Sequence, residues 1–208
     1  TSKKPVWMKL LVINDAGIVG GGTEKRIQEL LHFLRDKKYV TEIHLLQQNV
    51  YPIPEEKTFP GLKTHLCPSG HFASFLYALH LLKKESFDLV QAHNMMGLTP
   101  APLLAAKIKK IPIVFYAHDF WPVCAKRNFI DPYHAMTEQL CDKPSGGSCT
   151  HCTNSKGKIK FWLWKKILNL ANVGICSSNI MKNIFEKDNV LNGKWNVVIP
   201  WIDQKIYR

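Results

Sequence analysis

Two histidine-containing pairs in this 208-residue chain have the position and chemistry expected of site residues. His93 and Asn94 directly follow one apolar run, and His118 and Asp119 follow another, and both runs are typical of buried strands. A neutral imidazole at a strand end can exchange a proton or position a hydroxyl group. A histidine there can also simply bond a neighbouring loop. No serine or cysteine lies on a strained elbow beside them, which argues against a catalytic triad.

A glycine-rich turn, Gly20 to Glu24, provides a third polar cluster. It separates an apolar run, Lys9 to Ile13, from a helical pattern that begins near Thr23, the predicted N-cap. Glycines let a ligand approach the backbone closely, and a helix start offers free N–H groups to a phosphate or sugar oxygen. A tight turn that needs positive φ explains the same glycines. The spacing is not G-x-G-x-x-G, so neither NAD nor a flavin is expected.

Four of the six cysteines fall within one polar, turn-rich segment. They are Cys124, Cys141, Cys149 and Cys152. The last two form a Cys-x2-Cys pair, a common half-site for tetrahedral zinc, and a structural zinc ion would hold a loop that lacks a core. One or two disulfides, or free thiols, are the alternatives. Cys67 and Cys176 lie in apolar contexts and are predicted to be core residues.

Strand-like and helical patterns alternate along almost the whole chain. The strands centre on residues 9–13, 42–46, 62–66, 88–92, 111–117, 173–176 and 196–199. Strands separated by helices require right-handed crossovers and a parallel sheet. We therefore predict one doubly wound, Rossmann-like α/β domain over residues 1–208, with a cysteine-bearing loop at about 120–156. Ligands bind at the carboxyl ends of such strands, where the three polar clusters would meet.

Composition and charge limit the classes of partner. The chain is 46% hydrophobic and 21% charged, which excludes a disordered chain, and no apolar run reaches the ~18 residues of a membrane span. There are 28 Lys and Arg against 16 Asp and Glu, a net charge of +12, which favours anionic partners.

A basic, tryptophan-rich helix is predicted at residues 158–170. Its core face would contain Ile159 and Leu163, and Trp162 beside Lys166 would be excess apolar surface. Cations beside exposed aromatic rings suit an anionic membrane surface. Packing under the cysteine loop or against another domain is the alternative. With no secretory signal visible at residues 1–5, we expect a cytoplasmic protein, either free or peripheral at the inner face of the membrane.

Several segments together resemble the group 1 glycosyltransferases, also numbered family 4. Gly21 to Arg26 is similar to the family's G-G-x-E-[RK] motif, and Phe87 to Asn94 to its D-[VL]-[VI]-x-x-H segment. Tyr116 to Cys124 resembles an H-D-x-W-x-x-C form, Cys176 to Lys182 a helix start, and Asn196 to Pro200 a late strand of the family. The motifs occur in the family's order over most of the chain.

This resemblance implies the N-terminal, acceptor-side domain of a GT-B enzyme, with the family's C-terminal donor-binding domain absent from residues 1–208. It implies that His118 is catalytic, by contacting the transferred sugar or positioning the acceptor hydroxyl. The implied substrate-binding residues are Gly21, Gly22, Glu24, Lys25, His93, Asn94 and Asp119.

The predicted function is transfer of a sugar from a nucleotide-sugar donor to a glycan or lipid acceptor. The donor would bind mainly through the second domain. A non-catalytic nucleotide- or phosphate-binding α/β module is the first alternative, and a zinc-containing nucleic-acid-binding protein is the second. No recognition helix or RNA-binding aromatic motif is visible, so a nucleic-acid partner is not expected.

Overall fold

The computed structural model describes residues 7–48, 59–124, 127 and 155–199. Within them, the strands are β1 (Met8–Ile13), β2 (Val40–Gln48), β3 (Leu62–Cys67), β4 (Leu89–Ala92), β5 (Ile113–Tyr116), β6 (Val173–Cys176) and β7 (Trp195–Val197). The helices are α1 (Gly22–Asp36), α2 (His71–Lys84), α3 (Ala101–Ile108), α4 (Ser155–Leu168) and α5 (Asn179–Lys187). Most of the predicted cysteine-bearing loop lies outside the described residues.

The strands form one parallel sheet in the order β3-β2-β1-β4-β5-β6-β7. At the carboxyl end of β1, Ile13 pairs with Leu46 of β2 and with Ala92 of β4. From β1 the strands are added in one direction, to β2 and β3, and from β4 in the opposite direction, to β7. Such a reversal of strand order between β1 and β4 opens a crevice at the carboxyl edge of the sheet. The predicted Rossmann-like, doubly wound α/β sheet is confirmed.

The sheet is covered on both faces, which explains the continuous apolar run of β1. Leu11 and Ile13 pack into one core cluster, which includes residues of α2, α3 and α4. Leu10 and Val12 pack into the other cluster, against the apolar stripe of α1. A strand that is buried on both faces has no solvent-exposed face, so its sequence does not alternate between apolar and polar residues.

Helix α1 begins differently from the prediction. Gly21, not Thr23, is the N-cap residue. The backbone N–H of Gly21 donates to Oε2 of Glu24 at 2.9 Å, so the side chain three residues into the helix satisfies the backbone donor of the N-cap residue.

The predicted core face of α4 is wrong. Ile159 and Leu163 are 67% and 41% exposed, whereas Phe161 and Trp164 are buried. Trp164 packs edge-on against Trp121 with ring centroids 5.8 Å apart. Burial of these large aromatic rings outweighs burial of the aliphatic stripe, because each ring removes more apolar area from water. None of the helices in the described residues combines the length and the apolar character needed to cross a membrane.

Candidate functional site

A polar pocket of about 510 Å³ lies at the carboxyl edge of the sheet, beside the reversal between β1 and β4. Its lining comes from the glycine-rich turn, from the segments that follow β1, β4 and β5, and from the end of β2. The lining residues include Asp15, Gly21, Gly22, Glu24, Gln48, Asn94, Gly97, Asp119 and Arg127. The structure thus brings together five of the predicted substrate-binding residues: Gly21, Gly22, Glu24, Asn94 and Asp119.

The side chain of Asn14 connects the segments that line the polar pocket. This side chain is fully buried directly after β1. The Nδ2 group donates to Oε1 of Glu24 at 3.1 Å and to the carbonyl of Gly17 at 2.5 Å, and Oδ1 accepts from the backbone N–H of Asn94 at 3.1 Å. One amide therefore fixes the glycine-rich turn, α1 and the end of β4 relative to one another. The sequence analysis did not identify Asn14, although a polar residue directly after an apolar run could have indicated it.

Both carboxylate oxygens of Glu24 are occupied within the protein, by the N–H of Gly21 and the amide of Asn14. Glu24 is almost completely buried, so its observed contacts serve the turn. Lys25 is exposed and does not line the polar pocket. Its predicted contact with substrate stays a prediction.

Asp15, Gln48 and Gly97 form the other wall of the polar pocket. The N–H of Gly97 donates to Oδ2 of Asp15 at 3.0 Å, and Nε2 of Gln48 donates to the carbonyl of Gly97 at 3.0 Å. A Cβ atom on Gly97 would stand 2.6 Å from Oε1 of Gln48, so the Gln48 amide would have to move to accommodate any larger residue here. Burial raises the pKa of Asp15 above its ordinary value. Motif spacing identified none of these three residues.

Asp119 turns back towards its own backbone. Its Oδ1 accepts from the N–H of Trp121 at 2.8 Å. Burial raises the pKa of the Asp119 carboxyl, and the bond from Trp121 and the charge of Arg127 partly oppose that shift. Carboxylates and amides of this kind are suitable partners for sugar hydroxyl groups.

The two predicted histidines are in direct contact. Nδ1 of His93 and Nε2 of His118 are 2.8 Å apart, and Tyr116 stacks on His118 with ring centroids separated by 4.5 Å. Burial lowers the pKa of His93 well below its usual value. Burial, with a smaller effect of the Arg26 charge, lowers the pKa of His118 to about 4. Both imidazoles are therefore neutral at physiological pH.

The unpaired Nε2 atom of His93 indicates which ring nitrogen carries the proton in each of the two histidines. Among the described residues, the buried Nε2 of His93 has no hydrogen-bond partner. An unpaired buried N–H is less tolerable than an unpaired lone pair, so the His93 proton belongs on Nδ1 and is donated to Nε2 of His118. A neutral His118 then carries its own proton on Nδ1. That N–H is the group that His118 can offer to a ligand.

The predicted zinc ligands fall largely outside the described residues. Cys124 is buried, whereas Cys141, Cys149 and Cys152 are not described. In the part of the chain that is described, no group of three or more metal-ligating side chains is placed to hold a metal ion. Zinc stays a prediction. Cys67 and Cys176 are buried as predicted, and burial raises the pKa of the Cys67 thiol to about 12.

The parallel sheet order defines a Rossmann-like α/β domain, and the polar pocket at the reversal of strand order is its candidate binding site. The chain belongs to Glycosyltransferase Family 4, whose sequence profile matches residues 20–205. The resemblance inferred from the motifs is thereby confirmed.

Comparison with solved structures supports the same fold. HepE of Anabaena, solved in complex with UDP, is 15% identical with a TM-score of 0.62 over 96% of this chain and 46% of its own. The lipopolysaccharide outer core galactosyltransferase WaaB in its apo form is 15% identical with a TM-score of 0.54, over 94% of this chain and 46% of its own. A Listeria monocytogenes protein assigned as a UDP-N-acetylglucosamine 2-epimerase is 10% identical, with a TM-score of 0.53 over 92% and 45%.

The chain thus spans about half the length of these structures. No protein of curated function matches it by sequence. At these identities the likeness concerns the fold, which transferases and an epimerase share.

Proposed function

We propose that this chain is the acceptor-side half of a GT-B glycosyltransferase that moves a sugar from a nucleotide-sugar donor to a hydroxyl group. The observation that carries the proposal is the convergence of the glycine-rich turn, Asn94 and Asp119 on one polar pocket, with His118 nearby. Family membership supports transfer over the epimerase chemistry that shares the fold.

The polar pocket suits an uncharged sugar. Asp15 and Asp119 offer carboxylates, and Asn94 and Gln48 offer amides, for the hydroxyl groups of an acceptor or of the transferred sugar. A free phosphate fits less well there, because the Glu24 carboxylate lies in the first turn of α1 and offsets the positive end of the helix dipole.

Most of the donor contacts belong, in this proposal, to a second Rossmann-like domain. HepE was solved with UDP and is about twice as long as this chain, which supports a UDP-sugar donor and such a domain. The exposed backbone at Gly22 would contribute a minor share, since the N–H of Gly21 is already bonded to Glu24. Residues 1–208 alone should therefore bind the donor in the millimolar range, equivalent to about 4 kcal/mol.

His118 acts as a hydrogen-bond donor in this scheme. Its Nε2 is engaged by His93, so Nδ1–H is the group that reaches an oxygen of the transferred sugar or of the acceptor hydroxyl. A donor fixed in place by a buried partner lowers the reorganisation needed in the transition state. His93 is then a positioning residue, and Tyr116 limits rotation of the His118 ring by stacking.

Calorimetric titration with UDP-sugars tests how much of the donor affinity each of the two domains contributes. We expect weak binding to residues 1–208 and at least tenfold tighter binding once the second domain is joined to them. Micromolar binding by residues 1–208 alone would instead support the non-catalytic nucleotide-binding alternative.

We also propose that α4 contacts an anionic membrane surface. Ile159, Trp162 and Leu163 are exposed on a helix whose sequence has no acidic residue. Lys166 lies over the Trp162 ring at 5.7 Å, and Lys160 is exposed on the same helix. Exposed rings flanked by cations suit the interface of an anionic bilayer, and a cytoplasmic protein held at the inner face of a membrane accords with this surface.

A further inference from the structure

A second pocket, of about 450 Å³, lies beside the histidine pair and has a different lining from the polar pocket. Its apolar wall consists of Leu30 and Phe33 of α1, the Tyr116 ring, and Val198 and Ile199 after β7. We call it the apolar pocket. Phe33 and Val198 are each 48% exposed, so the pocket leaves apolar surface in water that a ligand could cover.

The lining of the apolar pocket exposes mostly apolar atoms, and several of its polar groups are bonded within the protein. Nδ1 of His93 is bonded to Nε2 of His118, and Arg26 is 2.9 Å from the carboxylate of Glu29. A saccharide bound there would lose the water around its hydroxyl groups and find few partners in exchange. The lining therefore selects hydrocarbon or aromatic groups over sugars.

The apolar pocket connects to the polar pocket past His118. A third cavity, of about 420 Å³, shares Tyr116 and His118 with the apolar pocket and Gly22 with the polar pocket. A ligand that fills the apolar pocket can therefore extend a polar end to His118 and the glycine-rich turn.

We infer that the apolar pocket binds the hydrocarbon or aromatic part of the acceptor, so that the acceptor is an amphiphile whose hydroxyl end lies at His118. This inference rests on the proposed transferase function and narrows its substrate class. Binding then combines apolar burial at α1 with hydrogen bonding at the carboxyl edge of the sheet. Each methylene group buried in the pocket should tighten binding by up to about fourfold.

Alkyl β-D-glucosides test the inference on residues 1–208, because the methyl, hexyl and octyl compounds share one sugar and differ only in apolar length. The ring carbon signals of ¹³C-labelled histidines report binding at the site itself, since His93 and His118 line the pocket. Below its micelle concentration, octyl glucoside should shift both signals saturably and bind at least tenfold more tightly than hexyl glucoside. Methyl glucoside should give no shift over the same range.

Substitutions test whether octyl glucoside binds in the apolar pocket or at another apolar surface. Leu30→Gln should weaken octyl glucoside binding at least tenfold, and the matched control Leu76→Gln, on exposed α2 surface, should leave it unchanged. If Leu30→Gln does not fold, Val198→Gln replaces it, because that half-exposed side chain contributes little to the core.

Equal affinity for methyl and octyl glucoside, or octyl binding that neither pocket variant weakens, would overturn the inference. Failure of the proposed function gives a different pattern. Loss of octyl binding with sugar transfer retained would refute the apolar pocket alone. Octyl binding with no transfer by the two-domain protein would refute the transferase assignment alone.

Discussion

Lowering the pH from 8 to 5 should destabilise the protein, because burial of the His93–His118 pair disfavours the charged, protonated form of either ring. In the unfolded chain a histidine titrates near 6.5, whereas burial lowers the pKa of His118 in the fold to about 4. Below 6.5 the unfolded chain binds a proton that the fold does not. Stability therefore falls as the pH drops through 6.5, and it continues to fall until about pH 4.

These two pKa values correspond to about 2 kcal/mol of stability lost at pH 5 through His118 alone. His93 adds to the loss, since its pKa is also lowered by burial. Asp15 and Asp119 act in the opposite sense, because their raised pKa values let the fold bind protons before the unfolded chain does. A comparison of the wild-type chain with a histidine variant cancels the contribution of the two aspartates, because both proteins contain them.

Urea unfolding at pH 8 and pH 5 measures the effect. His118→Gln should lose about 2 kcal/mol less than the wild-type chain between the two pH values. The control His80→Gln, on the exposed side of α2, should behave as the wild type. In parallel, the ring signals of His93 and His118 should show no titration above pH 5. A His118 midpoint near 6.5, or an unchanged pH dependence in His118→Gln, would refute the neutral, hydrogen-bonded pair.

Three further predictions concern the pocket wall, the cysteines and α4. Gly97→Ala should cost about 0.5–1.5 kcal/mol in urea unfolding, because the new Cβ displaces the Gln48 amide and breaks its hydrogen bond to this residue, whereas Gly22→Ala meets no atom within 4 Å and should be nearly neutral. Elemental analysis should find about one zinc per chain, lost in Cys149→Ser; absence of metal with freely titratable thiols would remove that idea. Vesicles with anionic lipid should retain the protein at low salt, and Lys160→Glu with Lys166→Glu should abolish retention without unfolding; equal binding to neutral vesicles would contradict the assignment.

The sequence was sufficient to predict the parallel sheet and to predict that the main polar clusters lie at the carboxyl edge of that sheet. That prediction succeeded because His93 and His118 follow apolar runs, and parallel strands place all their carboxyl ends on the same side. The glycine-rich turn was found in the same way, since it follows β1 directly.

Other parts of the site depend on which strands become neighbours. Gln48 reaches Gly97 only because β2 and β4 both lie beside β1, and no motif in either segment encodes that adjacency. The contact between His93 and His118 likewise requires β4 to pair with β5. In α4, helical spacing alone could not decide between the aliphatic stripe and the Trp164 side, because the partner Trp121 lies far away in the sequence.

The central claim is transfer chemistry assisted by His118, and product analysis of nucleotide-sugar turnover tests it most directly. Residues 1–208 joined to the second domain should release UDP from a UDP-sugar, with the sugar passing to an amphiphilic acceptor or slowly to water. His118→Ala should lower that release at least a hundredfold while the folded ring signals of the remaining histidines and the urea midpoint at pH 8 change little. Full activity without His118, or conversion of the UDP-sugar to an epimer with no release of UDP, would contradict the account.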